Sequence, residues 1–317
     1  MALTKVRGKA IDGGTISTET AGTNNLILGS TAGDSIASGG NENTCIGDKA
    51  GTSLTTGDNN VAVGFEALAT EDADGNNVAV GYQALKTLNA GADGNNTAVG
   101  YQTGEAITTG VQNTLMGSDS GDALTDADQN VAIGAFSLTN DTKGNKSVAI
   151  GRSALFSQNH TSSTDTFNTA VGHSAGQTLS TGLQNVMVGG RAGNLATTTS
   201  FSVLVGEQAA GGATMTGNDN TCLGFAAGYA LTSGANNLLL GHDAGRAASP
   251  SGNLNTGSNA VVLGDDNITS LFCADTSISS SDSRDKADIT DFNIGLNWVK
   301  DLRPVTYKWD KRSWYGT

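Results

Sequence analysis

The chain has 317 residues, of which 44 are glycine, two are proline and 5% are aromatic, too little bulk for a thick globular core; glycine does not recur at every third position, which excludes collagen. A formal net charge of −13, carried by charged residues that make up only 15% of the chain, repels phosphate and argues against nucleic acid as a partner. No apolar stretch is long enough to span a bilayer, and three cysteines do not make a disulfide scaffold.

Residues 1–21 form a short opening segment in which Met1-Ala2-Leu3-Thr4-Lys5-Val6-Arg7 has no apolar run of the export or anchor type, so neither Sec export nor membrane insertion is expected. From residue 22 to 270 the chain is a repeat. A glycine returns at fourteen positions from Gly29 to Gly264 behind a short motif whose fullest form is Asn-x-Ala-Val/Ile-Gly, and eight of the thirteen spacings are 17 residues. A unit this short cannot bury its own apolar face, so it is one coil of a stack covered by its neighbours. The expected fold class is therefore all-β: a parallel β-solenoid, or β-roll, of about 17-residue coils. At strand spacing, fourteen coils make a shaft of roughly 60–70 Å.

Within a coil, the residue four places before the glycine is Asn in eleven of fourteen repeats, with Ser147, Ser202 and Ala260 as the exceptions. Asn suits a turn or a stacked amide ladder, and the glycine suits a corner with φ > 0 or a close backbone approach. The three residues between them are apolar or Thr, as in Val61-Ala62-Val63 and Val131-Ala132-Ile133. Side chains of a strand alternate sides, so both faces of this segment must be covered. One face can point into the coil; the most economical cover for the other is an identical chain. The middle residue, Ala in six of the fourteen repeats, is expected at that interface, where it permits close approach. A homo-oligomer follows, taken as a trimer about a long axis, although the spacing leaves the symmetry number open. A small residue three places after the glycine, such as Ala67 or Ala84, is expected to open a second short strand. Polar stretches such as Thr55-Thr56-Gly57-Asp58 then return the chain to the next coil. Cys45 and Cys222 occupy the same coil position ten coils apart, which excludes their pairing and reads them as buried hydrophobes.

Candidate recognition residues lie at corners and insertions. The residue after the glycine is aromatic in three successive coils, Phe65, Tyr82 and Tyr101, a ladder suited to stacking on sugar rings. Two insertions, residues 156–167 and 247–258, break the rhythm, and the first carries Asn159 and His160. Loops on a rigid scaffold are common recognition sites. The acidic turns Glu71-Asp72-Ala73-Asp74 and Asp126-Ala127-Asp128 lack a regular calcium-ligand pattern, and the three histidines are dispersed, so no metal or cofactor is expected.

The segments Asn77-Val78-Ala79-Val80-Gly81-Tyr82-Gln83-Ala84-Leu85 and Ser147-Val148-Ala149-Ile150-Gly151 resemble the head repeats of trimeric autotransporter adhesins and similar repeats of bacteriophage tail fibres. The resemblance implies a left-handed β-roll wound by each of three chains. Residues 271–317 hold a linker and a second resemblance. Ser281-Asp282-Ser283-Arg284-Asp285-Lys286, followed by Leu302-Arg303-Pro304-Val305-Thr306-Tyr307, resembles the start of the endosialidase-type intramolecular chaperone, the S74 peptidase family. That resemblance implies a small α+β segment at the C-terminus of a phage tail fibre or tailspike, which assists trimerisation and then cuts itself off. It implies Ser281 as nucleophile, Lys286 as general base with Arg284 in support, and a cut between Ser280 and Ser281. The family's segment is longer than the 37 residues, 281–317, held here. Leu3-Thr4-Lys5-Val6 and Ile11-Asp12-Gly13-Gly14-Thr15-Ile16 look like the opening segments of some tail-fibre proteins, which implies attachment to other tail components.

The function expected from these features is that of a structural, receptor-binding tail-fibre protein of the virion tail that adsorbs to a bacterial surface glycan or protein. No activity on an external substrate is expected, and catalysis is restricted at most to self-cleavage. A trimeric cell-surface adhesin and a glycan-degrading tailspike are the alternatives.

Overall fold

The computed structural model describes residues 16–17, 20–91 and 93–271. Among them there is no helix, and fourteen three-residue strands, from Leu26–Leu28 to Val261–Leu263, lie parallel in one sheet in chain order. The strands pair in register, Val61 with Val78, Ala62 with Ala79 and Val63 with Val80, and so on up the stack. The result is a β-solenoid of about 13 turns. Its first edge is covered by the two-residue strand Ile16–Ser17, which pairs antiparallel with Leu26–Leu28.

Alternation along each short strand decides what is inside. The middle residue is buried in every strand of the array, while the two flanking residues are half-buried or exposed. The Ala expected at an interface between chains therefore faces the interior of its own coil, and the outward face is made by the flanking Val, Leu, Ile, Met and Thr residues. The coil is narrow, and its interior volume is shared between the strand's middle residue and the residue four places after the corner glycine. Where the second is Leu (Leu68, Leu85, Leu138, Leu155), the first is Ala (Ala62, Ala79, Ala132, Ala149). Where the second is Gly (Gly51, Gly121, Gly193, Gly228), the first is larger (Cys45, Leu115, Met187, Cys222). Where Ala98 meets Gly104 and Ala170 meets Gly176, the adjacent coils fill the space. A Cβ on Gly104 would stand 2.9 Å from a Leu115 methyl and 3.1 Å from one of Leu85, and a Cβ on Gly176 would stand 2.8 Å from Met187 Sδ and 3.0 Å from a Leu155 methyl. Constant volume per coil is what a close-packed column requires. Cys45 and Cys222 follow this rule; both are free, and burial pushes each thiol up to about 12.

The second strand expected after the glycine does not form. Residues two and four places past it take left-handed backbone, as at Glu66 (φ 53°) and Leu68 (φ 51°), so the chain bends twice within one turn of coil. An extended run cannot contain such residues. The bends still bond from coil to coil, with the Gln83 amide donating to Phe65 O at 2.8 Å. The only extended pairs outside the main sheet, among the described residues, are Gly144–Asn145 with Thr164–Asp165 and an isolated Ala196–Met215 bridge.

The Asn column is a ladder of buried amides. Asn113 Oδ1 accepts the Asn130 backbone N–H at 2.9 Å, and Asn113 Nδ2 donates to Asn96 Oδ1 at 3.2 Å and to Ala127 O at 2.8 Å. Backbone bonds of the strands and side-chain bonds of this ladder together tie each coil to the next.

Candidate functional site

In-register stacking carries the corner residues of successive coils into columns. Phe65, Tyr82 and Tyr101, each directly after its glycine, form one such column with ring centroids 5.4 and 5.2 Å apart and interplanar angles of 17° and 9°. They are 37, 41 and 51% exposed. Both faces of the Tyr82 ring are thus taken by its neighbours, and Lys49 Nζ lies 5.5 Å from the centroid of Phe65. The column offers a sugar its edges and hydroxyls along most of its length, with the far face of Tyr101 as the place for ring stacking.

A polar column runs beside it, one residue further on. Glu66 accepts from Gln83 Nε2 at 2.8 Å and pairs with Lys86 at 2.9 Å and Lys49 at 3.2 Å; Gln102 Nε2 donates to Gln83 Oε1 at 3.2 Å and to Glu105 Oε2 at 2.7 Å. The Gln83 amide, with the two lysines, holds the Glu66 carboxyl down at about 2. Aromatic edges flanked by a ladder of amides and carboxylates make a surface that can both cover apolar sugar carbons and bond hydroxyls.

A second stacked pair, absent from the candidates drawn from sequence, is Phe225 with His242 at 5.2 Å and 15°. Its signal is the same corner position, after Gly224 and Gly241. His242 Nδ1 lies 3.5 Å from Asp265 Oδ2 and 3.6 Å from Asp243 Oδ2.

The insertion at 156–167 corrects the pairing of Asn159 with His160. Asn159 is exposed, but His160 is only 7% exposed and its backbone N–H donates to Asp141 Oδ1 at 2.9 Å. The loop is folded inward because the Asn ladder is interrupted at Ser147. Gln158 supplies the missing amide: its Nε2 donates to Ser147 Oγ at 2.8 Å and Asp141 Oδ2 at 2.6 Å, and its Oε1 accepts from Asn168 Nδ2 at 2.9 Å. Gln158 of this insertion thus repairs a broken rung, and of the pair Asn159 and His160 only Asn159 stays on the surface.

Asp122, on the coil wall, is a carboxylate held at a cost. Its Oδ1 is buried with no hydrogen-bond partner, and burial, reinforced by the charge of Asp119, raises its carboxyl to about 6. A raised folded-state value means the folded chain holds the proton more tightly, so this group favours folding below its unfolded value and loses that contribution as pH rises through about 6. Asp122→Asn should therefore stabilise the protein by about 1 kcal/mol at pH 8, after allowance for a side chain that is only partly buried, and have no such effect near pH 4. Melting temperatures of the two proteins across that range test it; an equal difference at both ends would refute it.

Ser281, Arg284 and Lys286, with the expected α+β segment, lie outside the described residues, as does most of the opening segment 1–21. By sequence, residues 281–314 match the Peptidase_S74 family model, described as chaperone of endosialidase. Comparison with the curated proteins and with the solved structures finds no match to this chain.

Proposed function

We propose that this protein is the shaft and receptor-binding body of a homotrimeric phage tail fibre, assembled with the help of its C-terminal chaperone segment. The observation that carries the reading is the chaperone-of-endosialidase match at 281–314 on a chain whose described body is a β-solenoid. Trimer formation is supported by the outer sheet face. Its 28 flanking positions, two per strand over fourteen strands, carry only Val, Leu, Ile, Met and Thr, and no charge interrupts the strip along its length of roughly 60 Å. Uncharged strips of that length are covered in stable proteins. A second and third copy present the same rung spacing and so match it coil for coil. Residues 1–21 attach the fibre to other tail components, and the exposed columns, Phe65, Tyr82, Tyr101 and Asn159 with them, meet the bacterial glycan or protein receptor.

The chaperone segment then removes itself. Ser281 Oγ attacks the carbonyl carbon of Ser280 while a neutral Lys286 takes the hydroxyl proton; the Ser280–Ser281 C–N bond breaks as Lys286 returns that proton to the departing Ser281 amine, leaving an ester between the Ser280 carbonyl and Ser281 Oγ, which water hydrolyses to free the Ser280 carboxylate and the Ser281 hydroxyl. The amine must be kept neutral, for which the neighbouring cation Arg284 is suited.

Light scattering on the purified chain tests the assembly, with a mass near three times 31.9 kDa, about 96 kDa, expected before the chaperone segment is cut off, a smaller three-chain mass after it, and a stable monomer fatal to it. Intact-mass spectrometry then seeks a fragment beginning at Ser281, which Ser281→Ala should abolish. The same trimer carrying Tyr101→Ala should adsorb more weakly to host cells; equal adsorption removes the aromatic column from recognition.

A further inference from the structure

In most coils the seventh residue after the corner glycine points into the coil and stacks on its counterparts, where Leu54, Leu88, Ile107 and Leu124 are fully buried. Two coils place a carboxylate in this apolar column: Glu71 between Leu54 and Leu88, and Asp141 between Leu124 and Gln158. Their surroundings treat them oppositely. Asp141 is fully partnered, with Oδ1 accepting the N–H groups of Gly144 at 3.1 Å and His160 at 2.9 Å, and Oδ2 accepting from Gln158. Glu71 is equally buried, and its Oε1 accepts the N–H groups of Asp72 and Asp74 at 3.2 Å each, but its Oε2 has no partner. Asp74, only 8% exposed, has its Oδ2 buried without a partner as well. One carboxylate oxygen from each of Glu71, Asp74 and the exposed Asp72 lie within 4.8 Å of one another. Among the described residues, no ion pair reaches any of the three.

Two buried anionic oxygens side by side repel each other and forgo their hydration, a cost that persists until something positive stands between them. A hard cation with flexible coordination takes carboxylate oxygens of this kind, with backbone carbonyls and water completing its shell. A proton shared by Glu71 and Asp74 is the competing solution, but it cancels one charge of two and leaves Asp72 without a role. We propose that Glu71, Asp74 and Asp72 bind one calcium-type divalent cation per chain, pinning the acidic turn to the interior of its coil. Burial, followed by the charge of Asp74, raises the Glu71 carboxyl to about 7, consistent with a pair that resists carrying both charges unaided. The site does not depend on the fibre reading.

Calcium titration calorimetry and melting curves on chelator-treated protein near neutral pH test it. The expected result is one calcium ion per chain and a raised melting temperature, with Asp74→Asn weakening the binding by about tenfold or more. Glu71→Leu gives this coil the residue its neighbours carry, so it should fold without calcium and lose the site, which keeps the test open if Asp74→Asn folds poorly. No calcium uptake by the natural chain at millimolar concentration would overturn the proposal. So would an identical calcium response in Glu71→Leu, which would assign the ions to the general acidic surface and leave a shared proton at the pair.

Discussion

Gly81→Ala should lower stability by about 3–5 kcal/mol and open the stack at its coil. Gly81 has φ +140°, a region that residues with a Cβ rarely enter. A Cβ built there would stand 2.0 Å from Gly100 O and 2.6 Å from Gly100 C, on the backbone of the next coil. No side chain can swing away from that clash; two coils must separate, and the bonds that join them stretch. Among them are Gly100 N–H to Val80 O and Gln102 N–H to Tyr82 O, each 2.8 Å. Because each coil of a stack is held by its neighbours, the damage should stay local, splitting one cooperative unit into two. Gly91→Ala is the control: Gly91 also has a positive φ, +68°, but nothing lies within 4 Å of its Cβ position. Only the left-handed backbone cost of about 1 kcal/mol applies there. Urea denaturation and limited proteolysis read both. A single unshifted transition for Gly81→Ala would contradict a corner closed to side chains.

The amino-acid sequence alone announces that clash, since a glycine at a 17-residue period behind the same tripeptide marks a corner that admits no side chain. The stacked coils, the in-register strands and the amide ladder are legible for the same reason: a period reports what every unit shares. Sidedness is not. All three residues of Val61-Ala62-Val63 are apolar, so the pattern carries no polar mark to tell the inner face from the outer, and only the strand's pleat shows Ala62 inside. The absence of a second strand is hidden too, because Glu66, Gln83 and Leu85 are not residue types that announce a left-handed backbone. Departures from the period are the hardest to read. Gln158 looks like one polar residue in a polar insertion, and its role appears only when Ser147 is seen to leave a rung empty. Glu71 looks like part of an acidic surface turn, yet counting seven from Gly64 places it in the leucine column. The aromatic column is visible at Phe65, Tyr82 and Tyr101; that the rings cover one another, and so withhold the Tyr82 face, depends on rotamers.

The amide ladder gives the second large effect. Asn113→Ala removes the acceptor of the Asn130 N–H, the donor to Ala127 O and the contact with Asn96 Oδ1, all of them buried. Each buried group left unpaired costs about 1–3 kcal/mol, so a total loss of about 3–5 kcal/mol is expected once the small cavity is included. Asn113→Asp should be no better, because a carboxylate would aim an anionic oxygen at the Ala127 and Asn96 oxygens that now accept from the amide. Asn113→Ser tests the logic more sharply, since the chain itself uses Ser at two rungs. Ser147 is tolerated where Gln158 brings in an amide, and Ser202 where Thr199 Oγ1 lies 3.1 Å away and reaches on to Gly217 O at 2.5 Å. Gln158 stands seven residues after the glycine that follows Ser147; in the coil of Asn113 that position is Leu124, which has no amide to lend. Asn113→Ser should therefore cost nearly as much as Asn113→Ala, and Leu124→Gln introduced beside it should recover part of the loss. Urea midpoints of the three proteins, with hydrogen exchange at the Asn130 amide, decide it: an Asn130 N–H that stays protected in Asn113→Ala would mean the strand bonds alone hold the coils together.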